Sequence, residues 1–500
     1  DSRLDLQQLV LFLTSYQRVA PLTIGELWAW PSMLKLGLIE NLRRLADELL
    51  LARAARREAD TYLSAGGGSV RPPLPVGRAP AFVVQLLHGV RTFGLGLSDM
   101  RAAVDVDLAS RHTTAEEAVR AEHQRQGVAQ VSVANAVTSL RLCATLDWQD
   151  YVESVSLVEQ ALRRDPSGAY ARMDFLSRDQ QRRAVEEMAP TSGDAQVRVA
   201  LKAIESARQA AADGSTADRA AHVGYHLVDR GRAGLESDVG FHPRLGMRVR
   251  RLVRRHATAA YLGSIAIGTA LLVATAGTYA AGVGAGPGLT ALVALLVLLP
   301  ASDFVIACVN RLVVAGLGPQ RLPRLDFSSG VPEGADTMVI VPTMLTTVPG
   351  VDALIEHLEV LALGNLDPRI HFAILTDFAD TPAWDSPGDA ALLARATTGI
   401  EGLNDRTAAD TGGRFFLFHR ERQWNAREHA WMGWERKRGK IEEFNRLLRG
   451  ADDTSFTTQV GELERLPAIR YCLTLDSDTR LPRDAAKRLI GIIAHPLNRP

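Results

Sequence analysis

Hydrophobic positions along the chain follow three successive patterns. Leu34, Leu38, Leu42, Leu45 and Leu49 recur at intervals of three and four, with Arg and Glu opposite them. That is the stripe of an amphipathic helix, and it predicts a helical segment over 1–62. Gly and Pro then crowd Ala65 to Pro75, which predicts a flexible linker over 63–80. Helical, Ala- and Arg-rich patterning resumes from about Ala81, with breaks at Asp165-Pro-Ser-Gly168 and Pro190-Thr-Ser-Gly193. No solenoid period is visible. The second helical region is expected to occupy 81–256 and to end in a basic flank. Asp147-Trp148 and Met173-Asp-Phe-Leu-Ser-Arg-Asp179 within it read as helix caps and packing anchors rather than chemistry.

The second pattern is the absence of charge. The 46 residues from Ala257 to Ser302 contain none, and about 20 apolar residues suffice for one membrane span. Tyr261 to about Val283 and Leu289 to about Val309, broken by Gly284-Ala-Gly-Pro-Gly288, predict a transmembrane hairpin within 257–310, followed by a linker over 311–336. A pair of buried helices in a soluble protein is the alternative, and the basic flank weighs against it. Six arginines and no acid lie between Arg244 and His256, and Arg311, Arg321 and Arg324 follow the second span. By the positive-inside rule both flanks are expected in the cytosol, with the lipid bilayer as a partner.

From Thr337 the pattern becomes alternating strands and helices. Thr337–Val341, Ile370–Leu375, Arg414–His419 and Ile469–Leu475 read as buried strands. Helices are expected at about Gly350–Leu363, Ala390–Asn404 and Lys440–Leu448, with an aromatic, charged loop at Trp424–Trp434. The fold class is therefore α/β, with a parallel, doubly wound sheet over 337–500. Such sheets bind ligands beyond the carboxyl ends of their strands.

Three polar groups converge there. Asp377 closes the second strand, where a carboxylate can accept the N3–H of a uracil. Lys437-Arg438-Gly439-Lys440 brings positive charge just before a helix, suited to a diphosphate. Asp476 and Asp478 close the fourth strand, and two carboxylates so placed can hold Mg²⁺ or Mn²⁺ against phosphate oxygens. The plainer reading makes each a cap or a solvated turn, with Pro482 starting a helix. No Gly-x-Gly-x-x-Gly follows the first strand, which excludes a lone dinucleotide fingerprint.

Composition narrows the classes further. Lys plus Arg and Asp plus Glu number 57 each, so nothing in the charge suggests nucleic acid as a partner. Cys143, Cys308 and Cys472 stand far apart, which argues against disulfides or a zinc knuckle. Five hundred residues predict more than one domain. The start at Asp1 and the stop at Pro500 suggest a piece of a longer polypeptide.

Val341-Pro-Thr343, Asp377, Gly439-Lys-Ile-Glu-Glu-Phe-Asn445 and Asp476-Ser-Asp478, in that order, resemble the nucleotide-binding half of an inverting GT-A glycosyltransferase of the family 2 type. More narrowly, the chain resembles the amino-terminal part of the cyclic β-1,2-glucan synthases, glycosyltransferase family 84. The residues that carry this are Pro21-Leu-Thr-Ile-Gly-Glu-Leu-Trp-Ala-Trp-Pro31, Leu38-Ile-Glu-Asn-Leu-Arg-Arg44, Tyr170-Ala-Arg-Met-Asp-Phe175 with Ser177-Arg-Asp179, and His222-Val-Gly-Tyr225. Phe418-His-Arg-Glu-Arg-Gln-Trp-Asn425, Trp434 to Asn445 and Leu473-Thr-Leu-Asp-Ser-Asp-Thr-Arg-Leu-Pro482 complete the set.

The resemblance implies a multi-pass enzyme of the bacterial inner membrane, with its transferase domain and amino-terminal region cytosolic. It implies UDP-glucose as donor, a growing glucan as acceptor, release of the product as a ring, and a separate exporter as a further partner. It implies that Thr343, Asp377, Lys440, Asn445 and Asp476 bind the donor and that Asp476 and Asp478 hold Mg²⁺ or Mn²⁺. The GT-A domain is then incomplete within 337–500, and the catalytic general base is expected beyond residue 500. A processive synthase of a linear β-glucan shares these donor motifs, and a non-catalytic nucleotide-binding membrane scaffold is the reading from another class.

Overall fold

The computed structural model describes residues 3–64, 77–93, 98–189, 193–213, 219–411 and 413–499. The Gly/Pro-rich segment Ala65 to Pro75 and the break at Pro190 to Ser192 lie outside the described residues. The chain forms two compact units, Asp1–Arg164 with Arg182–Lys202, and Asp165–Gln181 with Ala203–Pro500.

The first unit is helical. Its longest element is Ile24–Ser64, and Leu6–Gln17, Pro80–Phe93 and Ala115–Thr145 are its other main helices. The leucine stripe is used unevenly. Leu34 packs against the cluster of Leu9, Leu13, Leu27 and Tyr151, and buried Leu38 joins Ala136 and Cys143. Leu45 and Leu49 instead line a cleft open to solvent. Asp147 caps the helix Trp148–Val155 by accepting from the Gln149 and Asp150 N–H groups at 2.8 and 3.2 Å, as its position predicts.

In the second unit Asp174 likewise accepts from the Ser177 N–H at 3.1 Å, at the start of the helix Phe175–Met188. Its other oxygen accepts from Arg324 Nε at 2.9 Å, and Met173 bridges Leu325, so this motif anchors the segment before the sheet. The helices Ala257–Gly282 and Pro287–Leu317 are long and apolar enough to cross a membrane. They run antiparallel, with Tyr261 Oη donating to Asn310 Oδ1 at 2.9 Å. A Cβ at Gly268 would lie 2.8 Å from Val305, so this glycine permits their close approach. Their outer side chains, Leu271, Leu296 and Leu299 among them, are exposed.

The sheet comprises β1 (Thr337–Leu345), β2 (Ile370–Phe378), β3 (Phe415–Arg420), β6 (Phe456–Val460) and β7 (Tyr471–Thr474), in the order β6-β3-β2-β1-β7. A separate two-stranded ribbon, β4 (Gln423–Asn425) with β5 (Ala430–Met432), occupies the aromatic stretch expected as loop. β1, β2, β3 and β7 are parallel as predicted, but β6 pairs antiparallel with β3, so the sheet is mixed. Phe456-Thr-Thr-Gln-Val460 is too polar and short to announce itself, as suits a half-exposed edge strand. On one face Met338, Ile340, Ala373, Leu375, Phe416 and Phe418 pack against Phe444 of the helix Arg436–Leu448. Val339, Val341, Phe372, Ile374, Phe415 and Leu417 alternate with them and are equally buried. Helices Val348–Gly364 and Asp389–Thr411 follow β1 and β2. Burial on both faces explains why the strands read as continuous apolar runs.

Candidate functional site

The parallel ladder aligns the polar strand ends. Thr343 of β1 stands opposite Thr376, and Met344 opposite Asp377. On the other side of β1, the Leu475 N–H donates to the Ile340 carbonyl at 2.9 Å, which brings Asp476-Ser-Asp478 beside the end of β1. Thr343 and Ser477 line one cavity of about 260 Å³ together with Met344, Thr346 and His357.

Asp377 and Lys440 meet, but beneath the surface. Lys440 Nζ donates to Asp377 Oδ1 at 2.6 Å and also to the Thr343 carbonyl. Both side chains are 3 % exposed, so neither presents the free group that the sequence suggests. The reason is Arg420, at the end of β3 and fully buried. Its Nε and Nη2 donate to Asp377 Oδ2 at 3.2 and 3.0 Å, and Nη1 donates to Glu443 Oε2 at 3.3 Å. The Trp434 and Arg436 carbonyls accept its remaining protons at 2.7 and 2.6 Å. Ser455 Oγ donates to Glu443 at 2.7 Å and completes the set. Two cations and two carboxylates buried together neutralise one another, and each satisfies charge that would otherwise be costly to desolvate. Burial pushes the Lys440 ammonium below its usual range while Asp377 holds it up.

The helix Arg436–Leu448 starts with Arg436, Lys437, Arg438 and Lys440 and has no acid in its first turn. Cations at a helix amino terminus oppose its dipole, an arrangement that an anion would relieve. Lys437 Nζ donates to Asp476 Oδ1, which ties this cationic start to the end of β7. Asp476 and Asp478 are exposed, and Asp478 has no side-chain partner among the described residues. Neither caps a helix: the helix Ala485–Ala494 is preceded by Asp484. Among the described residues no group of three or more His, Cys, Asp or Glu side chains could enclose a metal. Asp476 and Asp478 fit Mg²⁺ or Mn²⁺ in ligand type, as hard oxygen donors for an ion that draws its other ligands from phosphate and water.

Asn445 is not brought to this cluster. It lies two turns along the helix and lines an open groove with Lys437, Arg438, Arg446 and Arg449. Arg420 and Glu443, by contrast, were not singled out by sequence reasoning. The available signal was a charged residue ending the otherwise apolar run Phe415-Phe-Leu-Phe-His-Arg420, and a second acid in Glu442-Glu443. His419 beside them is buried, with Nδ1 at 2.9 Å from Thr376 Oγ1 and burial pushing its pKa down to about 4.

A second polar cluster joins Ser167, His222 and Asp165. His222 Nδ1 lies 2.9 Å from Asp165 Oδ2, and Ser167 Oγ lies 3.4 Å from the same nitrogen. The serine is not aimed for attack, because its hydroxyl donates to Asp165 at 2.6 Å. The Val223 and Tyr170 N–H groups also donate to this carboxylate, at 2.9 and 3.1 Å, and His222 is fully buried. It is a structural clamp.

No family model matches the chain. Among curated proteins, cyclic beta-(1,2)-glucan synthase NdvB of Rhizobium meliloti (strain 1021) is 35 % identical to it over 511 residues. The match covers 100 % of this chain and 18 % of the relative's length. From end to end, therefore, the chain is NdvB-like.

Proposed function

We propose that the chain forms the donor-binding part of a membrane-bound glucosyltransferase that transfers glucose from UDP-glucose, with inversion, to a growing β-1,2-glucan that is cyclised. The contact of Lys437 with Asp476 carries this reading, because it joins the cationic helix start to the paired carboxylates. The whole-length likeness to a cyclic β-1,2-glucan synthase supplies the product class. The sheet then serves as the donor half of a GT-A domain, facing the cytosol beside a hairpin of two spanning helices.

An acceptor hydroxyl would attack the anomeric carbon from the face opposite UDP, and a carboxylate would take its proton. No residue of this chain is assigned that role. Lys437 and the first-turn N–H groups would receive the diphosphate. Thr343 would contact the donor from the end of β1, whereas Asn445, which lines a separate groove with Lys437, would touch it only where the donor extends past Lys437. Asp377, buried against Lys440 and Arg420, would select uracil only where the donor reaches it at the ends of β1 and β2, and would otherwise hold Lys440 in place beneath the donor. Asp476 and Asp478 would hold Mg²⁺ or Mn²⁺, which would supply charge to neutralise departing UDP.

Thermal unfolding with UDP, with and without Mn²⁺, tests the site. A rise in the unfolding temperature that needs both is expected, and no rise under any combination ends the proposal. Transfer of labelled glucose from UDP-glucose by the intact protein excludes an inert scaffold. Linkage and ring analysis of the product separates the cyclic glucan from a linear one.

A further inference from the structure

The helix Leu245–Arg255 stands immediately before the first apolar helix and buries none of its side chains. At about 100° per residue, Leu245, Val249, Leu252 and Val253 share one side. Arg248, Arg250, Arg251, Arg254 and Arg255 share the other. Leu245, Val249 and Leu252 are 77, 51 and 61 % exposed.

Part of the cationic side is already engaged. Arg251 binds Glu236 at 2.6 and 2.7 Å. Arg250 and Arg254 donate to the Leu317 carbonyl, at the end of the second apolar helix, at 2.7 and 2.9 Å. These bonds fix the helix at the hairpin's end and keep its apolar side from turning inward. Arg248 donates only to the Pro243 carbonyl close by, at 3.0 Å, and Arg244 and Arg255 have no side-chain partner among the described residues.

A water-facing helix gains nothing from three bare aliphatic side chains, whereas a bilayer surface accepts both of its sides. With no acid between Arg244 and His256, the complementary surface is negatively charged. We infer that this helix lies in the headgroup layer of a leaflet containing anionic phospholipid. Leu245, Val249 and Leu252 enter the acyl boundary, and Arg244, Arg248 and Arg255 bind headgroup phosphates. The inference rests on the reading that Ala257–Gly282 and Pro287–Leu317 cross the same bilayer.

The test uses the whole chain, with Cys143, Cys308 and Cys472 changed to Ser, in bilayers of phosphatidylglycerol and phosphatidylcholine. Nitroxides are attached at Leu252→Cys and Leu271→Cys. Both are expected to collide with oxygen in preference to an aqueous nickel complex. A water-exposed label at 271 would overturn the spanning reading itself. A label at 271 in lipid with one at 252 in water would overturn only the present inference. Spin-labelled phosphatidylglycerol should associate with the protein in preference to phosphatidylcholine. That preference should fall in the Arg244→Gln, Arg248→Gln, Arg255→Gln variant by up to about fivefold per arginine. Equal association of the two lipids with the unsubstituted protein would also overturn it.

Discussion

Arg420 and Asp377 end neighbouring parallel strands and are joined by two hydrogen bonds, 3.0 and 3.2 Å long, at a point where neither side chain is more than 3 % exposed. The guanidinium also holds Glu443 and two backbone carbonyls, so it organises the floor of the site.

Replacing Arg420 by Met leaves Glu443 with Ser455 alone and strips Asp377 of half its partners. Breaking a buried pair from one side costs about 3–5 kcal/mol. Amide exchange in β2 and β3 should accelerate by about two orders of magnitude or more if these strands open with the site. Unchanged exchange would show that the network contributes little.

Asp478→Ala should separate fold from activity. The side chain is exposed and without a side-chain partner among the described residues, so stability should stay within about 0.5 kcal/mol of the parent. Glucose transfer by the intact protein should be lost together with the Mn²⁺-dependent part of UDP stabilisation. Normal glucan output from this variant would dispose of the metal assignment.

Gly439→Ala places a Cβ 1.9 Å from the Trp434 carbonyl oxygen, a backbone atom that cannot swing aside. The start of the helix Arg436–Leu448 must move, so a lower unfolding temperature and weaker UDP stabilisation are expected. Gly402→Ala, in the helix Asp389–Thr411 with its nearest neighbour at 3.7 Å, is the contrast. It should stabilise by up to about 1 kcal/mol through helix propensity. Similar behaviour of the two variants in thermal unfolding would count against the close approach at Gly439.

His371 and His419 are both buried in the sheet, and burial pushes each down from 6.5 to about 4. Between those values the unfolded chain binds protons that the folded chain does not. The stability they support is therefore fully present above pH 6.5 and is lost as pH falls toward 4, by up to about 3 kcal/mol for each. His419→Gln should flatten the dependence of the unfolding temperature on pH in that range. An unchanged slope would sink this account.

The parallel strands were legible because burial on both faces leaves uninterrupted apolar runs such as Met338–Val341 and Phe415–Phe418. The hairpin's two helices were legible from the absence of charge, although the second continues past Arg311 to Leu317. β6 was not legible, since one covered face leaves Thr457, Thr458 and Gln459 free to be polar. At the site, sequence order placed Asp377, Lys440 and Asp476 at element ends but said nothing of which would pair. Asp377 is shared between Lys440 and Arg420, a residue distant in sequence that arrives only when β3 docks beside β2. Asn445 shows the converse: motif proximity placed it with Lys440, but helical rotation turns it toward a different groove.

The Lys437–Asp476 contact ties the start of one helix to the end of β7 through a single exposed ion pair. On the proposed reading Asp476 would serve either Lys437 or a divalent ion, and Lys437 would remain beside the helix start proposed to receive phosphate. Because both side chains are half or more exposed, raising salt would weaken this contact, and with it the tie between the helix start and the end of β7.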